Sequence, residues 1–390
     1  MGILLKTVIR LKGGSIKRSF DRSTEHPQAV QDNLLLEILR NRRDTDYGRR
    51  HGFSRVTGTE AFTKSVPIND FSNLALYVER MKRGERDVLV PGQPLMFNVT
   101  SGTTDKPKYI PVTRRGLSLT SEISNQWLYR VLQDHPTCLD QAFLCVTGSS
   151  LEGRTVAGIP YGSASGLIYR NLPRALRPSL VLPFAVSDIK SYDLRYYLMT
   201  RLALEKEVSC ATTPNPTTLM KLAETATDYQ EEIVRSINDG VLFRKLPFDV
   251  NHDDAGILDI LGVSQRPNRS RAQSLEAIIS RHGHLVPSEY WKELKLIGCW
   301  LGGSVGFQVD KLSALLGQKV PMRDIGFRAS EGSLTVPCED NTSAGILALD
   351  NAYYEFVPAA ENTSEDTRTL RSHELEDGKQ YKIIITNWDG

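Results

Sequence analysis

Nothing in this sequence stays apolar for long. The N-terminal cluster Gly2-Ile3-Leu4-Leu5 is cut off by Lys6, far short of a membrane span. It also lacks the longer apolar core and small-residue cleavage site of a secretory signal, and Lys6 stands where a myristoylation signal wants Ser or Thr. Excess charge of one sign is missing too. Lys and Arg total 48 against 46 Asp and Glu, a net charge of +2, so no electrostatic case for nucleic acid arises. The cysteines (Cys138, Cys145, Cys210, Cys299 and Cys338) are scattered, with no CxxC pair and no metal-ligand spacing. Reduced thiols in a cytoplasmic protein follow, with neither nucleic acid nor membrane as partner. His282 and His284 form an isolated His-Gly-His, read as a polar helix end rather than a metal site.

What is present suits a large α/β protein. At 390 residues the chain can bury a sizeable core in two or more subdomains. Helical spacing runs through Val30, Leu34, Leu35, Ile38 and Leu39, over 28–43. Asn69 or Asp70 can cap a helix that runs to about Arg83, with Gly84 placed to end it. The 1–14 segment reads as a broken pattern ending in Gly13-Gly14. Two glycines, Gly48 and Gly52, read as breakers, and 87–90 reads as a short strand. Helices are expected over 117–131, 188–205, 216–238, 274–282 and 309–316, with Asn215 before a proline-started helix. Strands are expected over 141–147, 208–213 and 295–301, and residues 243–268 read as mixed. Segments 345–349, 353–357 and 380–386 are strand-like. The sum is mixed α/β layers with a barrel-like, β-rich portion near 340–390.

Three stretches carry candidate chemistry. The first runs from Phe97 to Thr113: an apolar start, the hydroxyl run Thr100-Ser101-Gly102-Thr103-Thr104, then Asp105-Lys106-Pro107-Lys108 and β-type residues again. This is the composition of strand, loop and strand. The loop is either a solvated Ser/Thr turn or a nest of donors for phosphate, with a lysine supplying charge. It lacks the second glycine of the kinase-type P-loop. Thr113 reads as a plain strand residue. The second stretch, 295–304, is a strand running out on Gly302-Gly303-Ser304. The third is Phe327-Arg328-Ala329-Ser330-Glu331. The Gly- and Ser-rich 158–168 segment either lines a pocket or merely connects elements.

Taken in order, these stretches resemble the acyl-adenylate-forming superfamily. Residues 101–108 are similar to its phosphate loop, with Asp105 where glycine is usual. Phe327 to Glu331 look like its aromatic-Gly-x-Thr-Glu segment, with Arg328 in place of a small residue. The flanks narrow the match to the auxin-responsive-promoter family of acyl-acid amido synthetases. These are Gln31 through Leu39, Tyr47-Gly48, His51-Gly52-Phe53, Val66-Pro67-Ile68, Tyr77-Val78-Glu79-Arg80, Tyr354-Glu355-Phe356-Val357-Pro358 and the terminal Ile385-Thr386-Asn387-Trp388-Asp389-Gly390.

The resemblance implies the large N-terminal domain of an adenylate-forming enzyme over 1–390, with the small C-terminal lid domain absent beyond Gly390. It implies ATP- and Mg-dependent activation of a small carboxylic acid as acyl-AMP, then transfer to an amine or amino acid. Coenzyme A or a carrier-protein thiol is the alternative acceptor, and a non-catalytic ATP-binding module is a further alternative. Thr103, Lys108 and Glu331 are the implied catalytic residues, with Glu331 on the metal. Ser101, Gly102, Thr103, Thr104 and Lys108 are expected at the phosphates. Gly302, Gly303, Ser304, Phe327, Ala329 and Ser330 are expected at the nucleotide, where Phe327 offers a face for adenine or packs in the core. Asp389 precedes the ribose-binding position and is not expected to be that ligand. Cys145 and Cys299 are expected in the core, since no covalent nucleophile is needed.

Overall fold

The computed structural model describes residues 2–100, 107–172, 174–246, 248, 250–364 and 367–390. The chain opens with α1 (Gly2–Glu25), where a broken pattern was expected. Gly13-Gly14 does not interrupt it, because Gly13 presses against the Tyr129 side chain and leaves no room for a Cβ. That close approach outweighs the modest helix penalty of glycine. The next helix, α2 (Pro27–Arg42), buries Leu34, Leu35, Ile38 and Leu39 as their spacing predicts. Gly48 sits inside a short α3 (Asp46–Arg50) rather than ending a helix, because it packs on the Arg42 carbonyl. After α4 (Thr59–Ser65) comes α5 (Phe71–Lys82). Its cap is Asp70, whose Oδ1 accepts from the Ser72 and Asn73 N–H groups at 2.8 and 3.2 Å. Val88, Leu89 and Val90 are buried, but 87–90 form no strand. Asp87 has φ +57°, and the Asp87 and Val88 carbonyls accept from the Asp46 and Tyr47 N–H groups instead.

Two sheets follow. β1 (Met96–Thr100) and β2 (Lys108–Val112) pair antiparallel, with Thr100 opposite Lys108. The strand–loop–strand reading therefore holds at both flanks of the loop. Beyond α6 (Arg114–Asp134) and β3 (Ala142–Cys145), the strands β4 (Gly153–Arg154) and β5 (Pro160–Gly162) complete a sheet of order β2-β1-β5-β4. The chain continues through α7 (Ala164–Arg170), α8 (Tyr192–Leu204) and β6 (Val208–Thr212). The expected long helix over 216–238 breaks at Tyr229 into α9 (Pro216–Asp228) and α10 (Gln230–Asp239). Asn215 does cap α9, accepting from the Thr217 N–H at 3.0 Å. The mixed 243–268 region contains α11 (His252–Gly262), and α12 (Arg269–His282) and α13 (Pro287–Tyr290) come after it.

Then β7 (Leu296–Gly298), α14 (Gly306–Leu316) and β8 (Met322–Arg323) close a second sheet of order β3-β6-β7-β8. Every pairing in it is parallel. Parallel strands need crossovers, and helices on the faces bury them on both sides. All five residues of β6 are buried accordingly. The largest hydrophobic cluster lies here, joining Leu144, Ala211 and Ile297 to Leu194, Leu198, Leu219, Leu275 and Leu312 of the helices.

The β-rich end is present as short ladders: β9 (Arg328–Ala329) with β10 (Gly332–Ser333), β11 (Thr335–Val336) with β12 (Ile346–Leu347), and β13 (Tyr353–Pro358) with β14 (Tyr381–Thr386). Each is two-stranded, and none closes into a barrel among the described residues. No described helix is long and apolar enough to cross a membrane.

Candidate functional site

The carboxyl ends of the parallel strands point into one cavity of about 480 Å³. Thr147 lies beyond β3, Thr213 and Pro214 beyond β6, Trp300 beyond β7 and Ile325 beyond β8, and all five line it. Open α/β sheets bind ligands at this edge, because strand-end loops converge there. The β2-β1-β5-β4 sheet supplies Asn98, Val99 and Thr100 from the end of β1. Helix α6 gives one face, Gly116, Leu117, Thr120, Ser124, Trp127 and Leu128, at helical spacing. Helix α7 gives Ala164, Ser165, Leu167 and Ile168, so the 158–168 segment does line a pocket.

Three buried polar atoms in this wall have no hydrogen-bond partner: Asn98 Oδ1, Thr100 Oγ1 and Thr147 Oγ1. Leaving such a group unpaired costs about 1–3 kcal/mol. A polar ligand in the cavity would recover that cost. Asn98 is held ready, since its Nδ2 donates to the Ser330 carbonyl at 3.1 Å.

Asp389 also reaches this wall. The Thr113 N–H donates to its Oδ1 at 2.6 Å. Thr113 is therefore not a plain strand residue: it caps α6, its Oγ1 accepting from the Gly116 N–H at 3.0 Å. The Asp389 carboxylate fills the space a Cβ on Gly116 would need. Burial pushes the Asp389 carboxyl above the usual range, against the opposing hydrogen bonds from Thr113 and the charge of Arg42. An acid raised in the folded state binds more protons folded than unfolded, so its contribution falls as pH rises through the folded pKa. Asp389→Asn abolishes that loss. Its melting temperature relative to the native protein is expected to climb between about pH 4, the ordinary Asp range, and neutrality; a pH series of thermal melts reads this directly.

The expected site residues are distributed unevenly. Ala329 and Ser330 line the cavity. Glu331 lines a small adjoining cavity with Gly116, Thr120, Asn387 and Asp389. Lys108 starts β2 with its ammonium 5.7 Å from the Phe71 ring centroid, outside the cavity lining. Gly302 is half-buried, and Gly303 and Ser304 are exposed beside α14, past the Trp300 that does reach the cavity. Phe327 is 55% exposed, so it is not core packing. Ser101, Gly102, Thr103 and Thr104, with Asp105 and Lys106, lie outside the described residues. Cys299 is core, whereas Cys145 forms part of the cavity wall. Burial pushes both thiols up, to about 12 and about 11, which suits inert side chains. His282 ends α12 and meets Glu289. The described residues hold no cluster of three or more His, Cys, Asp or Glu able to bind a metal.

The missed residues are Asn98 and Thr147; Thr100, two along from Asn98 on one strand face, headed the hydroxyl run but was not among the expected ligands. A polar residue at the carboxyl end of a buried strand was the available signal.

Models of the GH3 family N-terminal domain and central domain match residues 16–322 and 345–390. The chain belongs to the GH3 family. Among GH3 relatives, it is 25% identical over 399 residues to jasmonoyl–L-amino acid synthetase GH3.5 of Oryza sativa subsp. japonica, covering 95% of this chain and 67% of that protein. It is 22% identical over 386 residues to indole-3-acetic acid-amido synthetase GH3.4 of Arabidopsis thaliana, covering 94% and 63%. The solved GH3.15 acyl acid amido synthetase shares the fold, with TM-score 0.81 at 18% identity over 97% of this chain and 66% of that one. The chain thus spans about two thirds of the length of these GH3 proteins.

Proposed function

We propose that this chain uses ATP to activate a small carboxylic acid and passes the acyl group to the amine of an amino acid. A carboxylate oxygen attacks the α-phosphorus while the bond to pyrophosphate breaks. The amine then attacks the acyl carbon of acyl-AMP, loses a proton and releases AMP, leaving an amide. Two anions must meet in the first step, so charge neutralisation and alignment are the main tasks.

The observation that carries this reading is the cavity at the strand ends, whose wall holds three unpaired polar groups, the Asn98 amide oxygen and the Thr100 and Thr147 hydroxyls. Thr100 stands directly before the hydroxyl-rich loop. Ser101, Thr103, Thr104 and the ammonium of Lys108 would grip the β- and γ-phosphates, and the chain near Phe327 and Gly302–Ser304 would border the base. The described carboxylates do not form a protein cage for a metal. They fit Mg²⁺ shared with phosphate oxygens and water, an ion that takes only one or two carboxylates. Glu331 is the residue that would hold it, and the bound ion would supply charge stabilisation at the phosphates. All five cysteines are free, in keeping with a reducing, cytoplasmic setting.

Carboxylate-dependent exchange of pyrophosphate into ATP tests the first step across an acid panel. Product mass with amino acids or coenzyme A present then identifies the acceptor. Absence of exchange with every acid sinks the enzyme reading, and a thioester product replaces the amine with a thiol.

A further inference from the structure

Arg328 is an unusual occupant of the cavity wall. Among the described residues lining it, Arg328 is the one cation and Asp389 the one anion. Much of the rest is apolar: Leu117, Trp127, Leu128, Phe143, Val146 and Ile168. Its Nε donates to the Ile325 carbonyl at 2.8 Å and its Nη1 to Ser124 Oγ at 3.4 Å. A guanidinium has five N–H donors, so most remain free. Among the described residues no carboxylate stands within ion-pair distance of it. Asp324 offers charge from further away, but its oxygens already accept from the Leu301 and Gly326 N–H groups at 2.8 and 2.6 Å. Burial pulls the guanidinium down to about 10, still charged at neutral pH. Arg328 is half-buried; a partly desolvated charge without a counter-ion is costly, and a ligand anion offsets that cost.

Position decides which anion. Ser124, the partner of Arg328, lies eight residues along α6 from Gly116, about 12 Å at helical rise. The Gly116 end is where Glu331 and Asp389 converge. A carboxylate that reacts there loses its charge on adenylation, and a cation fixed on it would hold back the transition state. A second anion at the far end keeps its charge throughout.

We propose that Arg328 receives a second, non-reacting carboxylate of the acyl substrate. On the proposed ligase activity, the acid is then a dicarboxylate, or an acid with a comparable anionic tail, on an apolar body. Arg328 is a specificity residue and leaves the chemistry to others.

Matched pairs test this: nonanedioate against nonanoate, and terephthalate against benzoate. Isothermal titration calorimetry gives affinities independently of turnover, and pyrophosphate exchange gives relative rates. The native protein should prefer each diacid by roughly 10- to 100-fold, the worth of a hydrogen bond to a charged group. Arg328→Gln should collapse that ratio towards one, and Arg328→Lys should restore part of it. A ratio near one in the native protein, or one unchanged in Arg328→Gln, overturns the proposal. The native ratio decides even if the variant does not fold. Diacid preference in binding without any exchange leaves Arg328 standing and removes the ligase; exchange that favours the monoacids does the reverse.

Discussion

Glu331→Gln should slow carboxylate-dependent exchange by on the order of 100- to 1000-fold while ATP still binds within a few-fold of its native affinity. The magnitude is that of removing one preorganised electrostatic contact to charge that develops in a transition state. The substitution keeps shape and hydrogen-bonding length but deletes the negative charge, so what is lost is the hold on Mg²⁺. The backbone around it should stay in place, because the Asn387 side-chain amide donates to the Glu331 carbonyl at 2.5 Å, a contact the variant retains. On the proposed function ATP would keep its other partners, Ser101, Thr103, Thr104 and Lys108, so binding and turnover should separate. Calorimetry for ATP beside exchange rates at saturating Mg²⁺ makes the comparison. Unchanged exchange kinetics would remove Glu331 from the metal role.

Much of the frame could be read from the chain because local chemistry and global fold agree there. Asp70 and Asn215 cap the helices their positions predict, and the strand-like 142–145 and 208–212 runs are neighbouring parallel strands. The failures share one cause: a residue's local preference was overruled by a contact distant in sequence. Gly13 and Gly48 look like helix breakers, yet each is where another backbone or ring comes too close for a side chain. Val88, Leu89 and Val90 have β-type side chains, but their backbone is bent to meet α3.

The site divides the same way. Ala329 and Ser330 were legible because a short motif carries them into the wall. Asn98 and Thr147 were not, since an unpaired oxygen becomes visible only when its surroundings are assembled. Asp389 looked like a residue to set aside; its meaning comes from Thr113 and Gly116, more than 270 positions away.

Gln31→Leu should destabilise the protein by at least about 3 kcal/mol, at 1–3 kcal/mol for each of three buried groups left unpaired. Gln31 is 1% exposed. Its Nε2 donates to the Leu349 and Ala352 carbonyls at 2.5 and 2.8 Å, and its Oε1 accepts from the Tyr354 N–H at 2.8 Å. One side chain on α2 thus takes up three backbone groups of the 349–354 turn. Leucine fills similar space but pairs with none of them. Against a typical total of about 5–15 kcal/mol, the midpoint of urea unfolding should fall steeply with little change in slope. The consequence extends to the cavity. Asn351, inside the same turn, donates to the Ser333 carbonyl on β10, and Gly332 and Ser333 belong to the cavity wall. Loosening the turn therefore loosens the strand that follows Glu331. Affinity for a bound carboxylic acid should drop together with stability, whereas a substitution on the far face of α2, such as Glu37→Ala, should leave both alone. If Gln31→Leu lowers stability but leaves acid affinity untouched, the 349–354 turn is scaffold alone and Ser333 is held by its β9 pairing.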